Sequence, residues 1–466
     1  MTGAGAVTED GKARMRNIAV VTLPLAGHLN PTQVVVDGLL ADGHKVTLVG
    51  PPGMDGLLDG VAFRALADAD YPAGRLTRLL TLLPSIRGVR GVRAMIDEIA
   101  ALSALYIRQL PAALEAVGAD LVLSDQLEPA AGLVARGLGL AHASLACALP
   151  MNREPTLPPP YLGWRYREGA YGEWLYQGGY RVVDWMMAPQ GDVLARGAEH
   201  FGLPVRRATA DWVSPTTDLS QCIPGLDYPR VGGPREVGPL RGRKALIPLD
   251  FERDGRDLVF CSLGTLMGGR VRIFERVARA CDRLGAQVVI AHGGRLSARE
   301  IADLEDLPGR PVLRAFVDQP SVLSAARAAV LHGGFNSVLD SLASGVPMVV
   351  VPLAFEQRAI AARVERAGAG VTVPPLARGR LSGALGEVLE SRDMRRCALE
   401  LAAGAAQAGG VDQAVAAIAD TMAQPRRPDR AHAADGPGHV TVRPDKDALT
   451  SRLARRLPGR ARLGRS

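Results

Sequence analysis

Short apolar runs, each followed by a glycine-containing loop and a helix-period segment, recur through both halves of this chain. In the first half, RNIAVV leads into LPLAGHLNP, a helical segment and the run HKVTLVG. In the second half, DLVFCSLGT, AQVVIAHGG, AAVLHGG and VPMVVVPLAF repeat this order. Runs of Val and Ile without polar alternation are typical of parallel strands covered by helices on both faces. We therefore predict an α/β fold with two doubly wound, Rossmann-like domains that face each other across a cleft.

The places where this alternation stops divide the chain, whose 466 residues suffice for two large domains. We assign residues 1–16 to a flexible N-terminus, 17–232 to the first domain, 233–256 to an interdomain linker, 257–423 to the second domain with a closing helix, and 424–466 to a basic, disordered tail. The linker is assigned because it is rich in Gly, Pro, Arg and Asp and lacks periodicity.

The net charge lies in the tail. Residues 425–466 hold eleven Arg and Lys and four Asp, which accounts for the whole net charge of +7. The remaining body is neutral, which argues against nucleic acid as a partner. Leu449, Leu453 and Leu457 share one helical face beside several arginines. The tail is therefore either a solvated segment or a basic amphipathic segment that rests on an anionic membrane surface.

Cysteine usage and apolar run length bear on the compartment. The five Cys are scattered without CxxC or zinc-ligand spacing, which favours a reduced, cytoplasmic location. The first seventeen residues lack the apolar core of a signal peptide. The uncharged stretch at residues 137–152 is shorter than the ~20 apolar residues that span a bilayer. We expect a cytoplasmic protein, and the tail leaves peripheral contact with the inner face of the membrane open.

Aromatic residues are concentrated in one segment. Residues 161–185 hold five Tyr and three Trp, which is eight of the chain's twenty aromatic residues. One interpretation is a pair of surface helices with aromatic rings pinned to the core. The other is a wall for a large apolar ligand, because aromatic rings give contact area at low entropic cost while Tyr and Trp keep a polar edge.

Candidate functional residues follow the predicted strands, because ligands of doubly wound sheets bind beyond the carboxyl ends of the strands. His28 lies in the first strand-to-helix loop and Asp125 ends a later strand. An Asp that holds the tautomer of a His and raises its basicity makes a general base. On position alone, His28 is equally consistent with a structural histidine, and Asp125 with a helix cap.

The segment HGGFNSVLDSL at 332–342 has the composition of an anion site. Two glycines allow close backbone approach, and amides at a helix N-terminus beside an imidazole suit a pyrophosphate. We expect no metal site. The DxD strings at 68–70 and 445–447 lie in an early polar loop and in the tail, and no HExxH, P-loop or G-x-S-x-G is present.

Several motifs at fixed spacing then show a resemblance. GHLNP, SLGT, FVDQ, HGGFNSVLD and PLAFEQ resemble the nucleotide-sugar-dependent glycosyltransferases of the two-Rossmann (GT-B) type. Gln319 precedes His332 by thirteen residues, and Glu356 follows it by twenty-four. The resemblance covers residues 17–423. LSQCIPGLDYPR, VFCSLGTLMGGR, AHGGRL and FVDQPSVLS are similar to the carotenoid branch, whose members glucosylate zeaxanthin.

The resemblance implies a role for each matching residue. It implies that the first domain binds the acceptor, that His28 is the general base toward the acceptor hydroxyl, and that Asp125 balances the imidazolium. The implied donor-binding residues of the second domain are Thr265, Phe316, Val317, Gln319, His332, Gly334, Asn336, Ser337, Asp340, Glu356 and Gln357.

Within this set the resemblance also assigns parts of the donor. Thr265, His332 and the start of the following helix match groups around the diphosphate, Asp340 matches the acid on the ribose, and Phe316 and Gln319 match the base pocket. Glu356 and Gln357 match the pair that grips the sugar hydroxyls. Three positions depart from the pattern: Phe316 replaces a frequent Trp, Asp340 a commoner Glu, and Glu356 the usual Asp.

The implied activity is an inverting, metal-independent transfer of glucose to a hydroxyl of an apolar acceptor, most closely a xanthophyll such as zeaxanthin. The co-substrate is UDP-glucose or another UDP- or TDP-sugar, and no bound cofactor is expected. Three alternatives stay open: a transferase acting on a polyketide or macrolide, a nucleotide-sugar epimerase of the same fold, and a catalytically silent binding protein.

Overall fold

Seven parallel strands form the first sheet in the computed structural model, which describes residues 15–66, 69, 71–72, 74–83, 88–242, 245–377 and 379–423. The strand order is β3-β2-β1-β4-β5-β6-β7. The strands are β1 (Asn17–Val21), β2 (Lys45–Gly50), β3 (Ala62–Ala65), β4 (Leu121–Asp125), β5 (Ala141–Ala146), β6 (Thr217–Ser220) and β7 (Arg235–Glu236). The order reverses between β1 and β4, so the loops that follow these two strands diverge and leave a crevice at the sheet edge.

Helices cover both faces of this sheet. They are α1 (Ala26–Ala41), α2 (Arg75–Leu82), α3 (Gly88–Ala116), α4 (Pro129–Gly137), α5 (Ala170–Met186) and α6 (Ala188–His200), with a short 3₁₀ helix at Thr209–Trp212. The strands β1 and β4 are almost fully buried, which is why they read as continuous apolar runs in the sequence.

The second sheet repeats the design with six parallel strands in the order β10-β9-β8-β11-β12-β13. Its strands are β8 (Leu258–Ser262), β9 (Gln287–Ala291), β10 (Val312–Arg314), β11 (Ala328–Leu331), β12 (Met348–Val350) and β13 (Gly370–Thr372). Its reversal lies between β8 and β11. The predicted α/β class with two doubly wound sheets is confirmed.

Nine helices belong to the described part of the second half. They are α7 (Gly264–Met267), α8 (Val271–Arg283), α9 (Ala298–Glu305), α10 (Gln319–Ala325), α11 (Phe335–Ala343), α12 (Gln357–Arg366), α13 (Arg380–Glu390), α14 (Arg392–Gln407) and α15 (Gly410–Ala423). Apolar clusters fill both faces of the second sheet.

The last helix, α15, returns to the first sheet. Its Ala414, Val415 and Ile418 belong to the core of that sheet, although we assigned the segment to the second domain. Gly38 in α1 makes this contact close: a Cβ at Gly38 would lie 2.6 Å from a methyl carbon of Val415. The chain therefore crosses between the two halves twice, once in each direction.

A buried ion pair joins the halves. Arg363 of α12 donates from Nε to Asp227, which follows β6, at 2.6 Å, and each side chain is only 2% exposed. Arg230 donates to the second carboxylate oxygen of Asp227 at 2.9 Å. Burial alone would raise the pKa of Asp227, but the two guanidinium groups outweigh it and hold that pKa below its usual value. Leu149 and Ile223 of the first half also pack into the core of the second sheet.

Some expectations concern residues outside the described ranges. They are the basic tail, most of the N-terminal segment 1–16, and both acids of the DxD string at 68–70. None of the described helices is long and apolar enough to cross a membrane. The five cysteines are free thiols, four of them buried.

Candidate active site

The reversal point of the first sheet brings His28 and Asp125 together. Asp125 ends β4, and His28 lies in the first turn of α1, after β1. Their Nδ1 and Oδ2 atoms are 2.6 Å apart. The other oxygen of Asp125 accepts a hydrogen bond from the Leu127 amide at 2.8 Å, so both carboxylate oxygens are held. The sequence placed these residues at neighbouring strand ends, and the structure pairs them.

The electrostatics of this pair favour a basic imidazole. Burial opposes protonation of His28, but the charge and hydrogen bond of Asp125 outweigh it and raise the pKa of His28 above its ordinary value of 6.5. The carboxylate of Glu356, from the other half of the chain, acts in the same direction. With Nδ1 bonded to Asp125, Nε2 is the nitrogen left to accept a proton, which is the arrangement of a general base.

The reversal point of the second sheet holds His332 between two glycines. A Cβ at Gly264 would lie 2.8 Å from the His332 ring, and one at Gly334 would collide with it. Only glycine fits at either position, which explains both the SLGT and the HGG motifs. Burial lowers the pKa of His332 to about 4, so its ring is neutral. Its Nδ1 is buried and has no hydrogen-bond partner.

Helix α11 begins directly after Gly334, and its first turn contacts the first half of the chain. Asn336 donates from Nδ2 to the Gly27 carbonyl at 2.9 Å, next to His28. Its Oδ1 accepts from Gln221 at 2.7 Å. Ser337 follows in the same first turn and is half-buried. The first turn of α11 is therefore in direct contact with the first turn of α1, which carries His28.

Asp340, one turn further along α11, is bonded on both oxygens. Gln319 donates to its Oδ2 at 2.6 Å, and Arg241 forms an ion pair with its Oδ1. Burial is the dominant influence and raises the pKa of Asp340 despite these partners. Arg241 also donates to Gln221 and to the Asn336 carbonyl, both at 3.1 Å.

Arg241 is a site residue that the sequence did not reveal. It lies in the segment 233–256, which has no periodicity or motif, so only the structure shows what it contacts. Gln221 and Asp227 were present in the segment LSQCIPGLDYPR, which carried the resemblance, and that motif was the signal that could have drawn attention to them.

The remaining second-half residues line the same edge. Phe316 follows β10, is 66% exposed, and its ring lies beside Gly294. Val317 is half-buried against the core. Thr265 lies in the short helix α7, where its carbonyl accepts from Arg295 at 2.7 Å. An aromatic ring left this exposed offers a flat face to a ligand.

Glu356 and Gln357 begin α12. Phe355 before them has a φ of 53°, a left-handed conformation that costs a non-glycine residue ~1–2 kcal/mol. Burial raises the pKa of Glu356. The Gln357 oxygen accepts from the amides of Leu353 and Ala354 at 2.7 and 2.8 Å, so it orders the preceding loop. The Gln357 amide NH₂ is the end that remains for a ligand.

A cavity of about 640 Å³ opens beside this site in the first half. Its lining includes Met151, Tyr161 and, from the α5–α6 region, Val183, Trp185 and Met187. Tyr161 lies close enough to Glu356 for the carboxylate charge, after burial, to raise the pKa of its phenol. Part of the aromatic segment 161–185 therefore lines a cavity, and part of it is exposed.

Among the described residues, one group has the spacing of metal ligands: His28, Asp125 and Cys147. Burial raises the pKa of the Cys147 thiol well above its usual value, so the thiol is protonated and a poor ligand. The His28 nitrogen nearest the group is already engaged with Asp125. This donor set suits proton transfer better than metal binding.

Comparison with known proteins supplies the family. The model of the family "UDP-glucoronosyl and UDP-glucosyl transferase" matches residues 253–404. The zeaxanthin glucosyltransferase of Pseudescherichia vulneris is 34% identical over 419 residues, which cover 88% of this chain and 98% of the relative. The zeaxanthin glucosyltransferase of Pantoea ananas is 33% identical and covers 76% of this chain and 84% of the relative.

A solved structure supports the architecture. The glycotransferase of kitacinnamycin superposes with a TM-score of 0.70 at 22% identity, covering 88% of this chain and 99% of its own. That likeness extends over both sheets, as the sequence resemblance does. With a relative matched over nearly its whole length at 34% identity, the chain belongs to the UDP-glucoronosyl and UDP-glucosyl transferase family and is a UDP-glycosyltransferase.

Proposed function

We propose that this enzyme transfers glucose from UDP-glucose to a hydroxyl of a xanthophyll-type acceptor such as zeaxanthin, with inversion and without a metal ion. The observation that carries the proposal is the His28–Asp125 pair facing Glu356 across the two halves. Both curated relatives described above are zeaxanthin glucosyltransferases, which supports the acceptor class and glucose as the sugar.

The chemistry is a single displacement. Nε2 of His28 takes the proton of the acceptor hydroxyl as its oxygen bonds to the anomeric carbon, and the bond from that carbon to the diphosphate oxygen breaks. Asp125 stabilises the imidazolium that forms. Since the nucleophile enters opposite the leaving group, the configuration at the anomeric carbon inverts. Positioned general-base help of this kind contributes ~10²–10⁴-fold.

The departing diphosphate gathers negative charge, which needs hydrogen-bond donors. The first amides of α11, including those of Asn336 and Ser337, lie at the positive end of the helix dipole. Neutral His332 and the Thr265 hydroxyl add donors beside Gly334. These groups supply electrostatic stabilisation without a cation.

The remaining parts of the donor are assigned to residues at the same edge of the second sheet. We assign the exposed Phe316 ring, with Val317 and Gln319, to the pyrimidine base and the Asp340 carboxylate to the ribose hydroxyls. Glu356 and the Gln357 amide bind the sugar hydroxyls. A glutamate at 356 reaches one methylene further than an aspartate, and its charge acts on His28.

One assay tests the function. Purified enzyme is given UDP-glucose with zeaxanthin in detergent and EDTA, and UDP release is measured with analysis of the product's anomeric configuration by NMR. We expect acceptor-dependent, EDTA-resistant release and a β-glucoside. UDP release only with polyketide acceptors would contradict the xanthophyll assignment. Turnover of UDP-glucose without any acceptor would indicate an epimerase, and loss of UDP release with EDTA would overturn metal independence.

The Asp125→Asn variant tests the base through its pH profile. His28 must be neutral to accept a proton, so kcat/KM rises with pH up to its raised pKa. Loss of the Asp125 charge leaves burial as the dominant influence, so that pKa falls and the acidic limb moves to lower pH. We expect the plateau to fall by about 10²-fold. If the rate falls but the acidic limb of the pH profile stays in place, Asp125 does not act by raising the pKa of His28.

The Arg241→Met variant tests the linker contact. Methionine keeps the apolar stem but removes the ion pair to Asp340 and the donors to Gln221 and Asn336. We expect KM for UDP-glucose to rise about tenfold, or ~1.4 kcal/mol, with a smaller change in kcat. Arg253→Met is the matched control, since Arg253 is an exposed arginine of the same segment that bonds distant carbonyls. Equal effects in both variants would contradict a specific role.

A further inference from the structure

Helix α5 presents an aromatic face to solvent. Tyr171, Trp174, Val182 and Trp185 recur at helical spacing on one side, where three- and four-residue steps place side chains next to each other. Trp174 is 64% exposed and Trp185 is 76% exposed. Tyr171 stacks on Trp174, and Val182 lies one turn before Trp185, so two exposed apolar pairs lie on one side of the helix. Exposed apolar surface of this kind marks interaction sites. We call Tyr171, Trp174, Val182 and Trp185 the α5 face.

The opposite side of α5 is seated tightly on the protein. Tyr176 is fully buried, and its hydroxyl accepts from the Arg167 amide at 2.6 Å. Gly179 packs against the Trp164 ring, where a Cβ would lie 2.7 Å from a ring carbon. The α5 face is therefore presented by a fixed helix, and its exposed rings do not result from loose packing.

The charges around the α5 face are arranged for an anionic surface. Arg181 lies on the same side of the helix as the aromatic rings. The helix acids Glu173 and Asp184 point to a different side, and Asp184 is neutralised by an ion pair with Arg153. Arg167 stacks over the Tyr171 ring at 5.8 Å. Trp and Tyr with adjacent arginines are the side chains enriched where proteins meet lipid headgroups.

The α5 face is continuous with the acceptor side of the active site. Trp185 belongs both to the face and to the lining of the 640 Å³ cavity. Tyr161 also lines that cavity, and the charge of Glu356 acts on the pKa values of both Tyr161 and His28. The α5 face and the cavity therefore share Trp185, and Tyr161 of the same lining lies near the Glu356 charge.

We propose that the α5 face docks the enzyme on an anionic lipid bilayer, so that the cavity mouth faces the membrane and the acceptor enters from the lipid. The inference rests on the proposed function for its account of why the cavity faces lipid. The docking itself requires only the exposed rings of the α5 face, Arg181 and the bilayer. A water-soluble acceptor would need no such face, whereas a xanthophyll partitions into lipid.

The first test locates the contact. The full chain is mixed with phosphatidylcholine–phosphatidylglycerol vesicles in which part of the lipid carries brominated acyl chains, and tryptophan fluorescence is recorded. Bromine quenches only rings that enter the bilayer interface. The chain has four tryptophans and none in residues 424–466, so binding by the tail alone leaves the fluorescence unquenched. We expect quenching with brominated vesicles, weaker in vesicles of phosphatidylcholine alone.

The second test uses variants. We expect Tyr171→Ser with Trp174→Ser, which removes two stacked rings of the α5 face that do not line the cavity, to lower the vesicle partition coefficient about tenfold or more. The matched control is Val231→Ser with Leu376→Ser, which removes two apolar side chains that are even more exposed, at 97% and 91%, and leaves binding unchanged. Unquenched fluorescence, or equal binding by both double variants, would overturn the proposal. So would sedimentation velocity showing that the α5 face mediates self-association and that vesicles do not bind.

Activity separates this inference from the proposed function. With zeaxanthin in vesicles, the Tyr171→Ser, Trp174→Ser variant loses UDP release about tenfold. With zeaxanthin in detergent it keeps the wild-type rate, because neither ring lines the cavity. If the wild type fails with zeaxanthin in detergent, the acceptor assignment is wrong and the quenching result still decides the docking. If quenching fails while detergent activity stands, the docking is wrong and the function is retained.

Discussion

The His28→Ala variant is expected to release UDP from UDP-glucose about 10²–10⁴-fold more slowly in the presence of acceptor, with its affinity for UDP unchanged. The reason is that the proposed mechanism places His28 at the reacting hydroxyl and not at the nucleotide. Its Nδ1 is bound to Asp125, and the Asn336–Gly27 contact that joins its loop to α11 uses the backbone, which alanine preserves. The loss therefore falls on kcat.

The measurement is steady-state UDP release together with calorimetric titration of UDP. His200→Ala is the matched control, since His200 is an exposed histidine at the end of α6 and its removal leaves both quantities unchanged. A His28→Ala variant that turns over at the wild-type rate would show that another group removes the proton. A variant that loses UDP binding would show that His28 acts through the donor site.

The fold was predictable because its signals are local. Each buried parallel strand appears as an uninterrupted apolar run. At the strands beside each reversal point, His, Asp or Gly residues come at or shortly after the end of the run. His28 and Asp125 could be proposed as a pair for the same reason: parallel strands end at one edge, so residues beyond neighbouring strands lie close together. The glycines flanking His332 belong to motifs whose steric purpose only the structure explains, since it requires the position of the ring.

The unpredicted contacts depend on tertiary structure. Arg241 meets Asp340 ninety-nine residues away, and Arg363 meets Asp227 at a separation of 136. Nothing in an arginine's local sequence identifies its carboxylate partner. The packing of α15 on the first sheet could not be predicted from the sequence either, because its apolar face would fit the core of either sheet. Gln357 was expected to bind the sugar, and the structure adds that its oxygen orders the loop before α12.

The buried ion pair gives the second large effect: Asp227→Asn is expected to lower the free energy of unfolding by about 3–5 kcal/mol at pH 7. The substitution leaves Arg363 charged and only 2% exposed without its carboxylate. Arg230 loses the same partner but keeps Glu154 at 3.6 Å. The cost is the desolvation of an uncompensated guanidinium, which greatly exceeds the value of the hydrogen bond that asparagine retains.

Asp254→Asn is the control, because Asp254 forms an ion pair of the same length with Arg256 at the surface, 2.6 Å, with both side chains about one-third exposed. Solvent screens that pair, so its loss should cost less than about 1 kcal/mol. Urea unfolding followed by circular dichroism measures both variants. Adding Arg363→Met to Asp227→Asn should recover more than half of the loss, since no unpaired charge then remains on α12.

The pH dependence gives the same contact a second signature. The folded-state pKa of Asp227 lies below its unfolded value, so the folded protein binds fewer protons than the unfolded chain in the interval between them. The stability from this group is complete above the unfolded pKa and is lost as the pH falls through the folded one. Asp227→Asn should therefore flatten the acid side of the stability curve, whereas Asp254→Asn should leave most of it in place. An Asp227→Asn variant as stable as Asp254→Asn at pH 7 would mean that the buried pair stabilises the fold no more than the surface pair does.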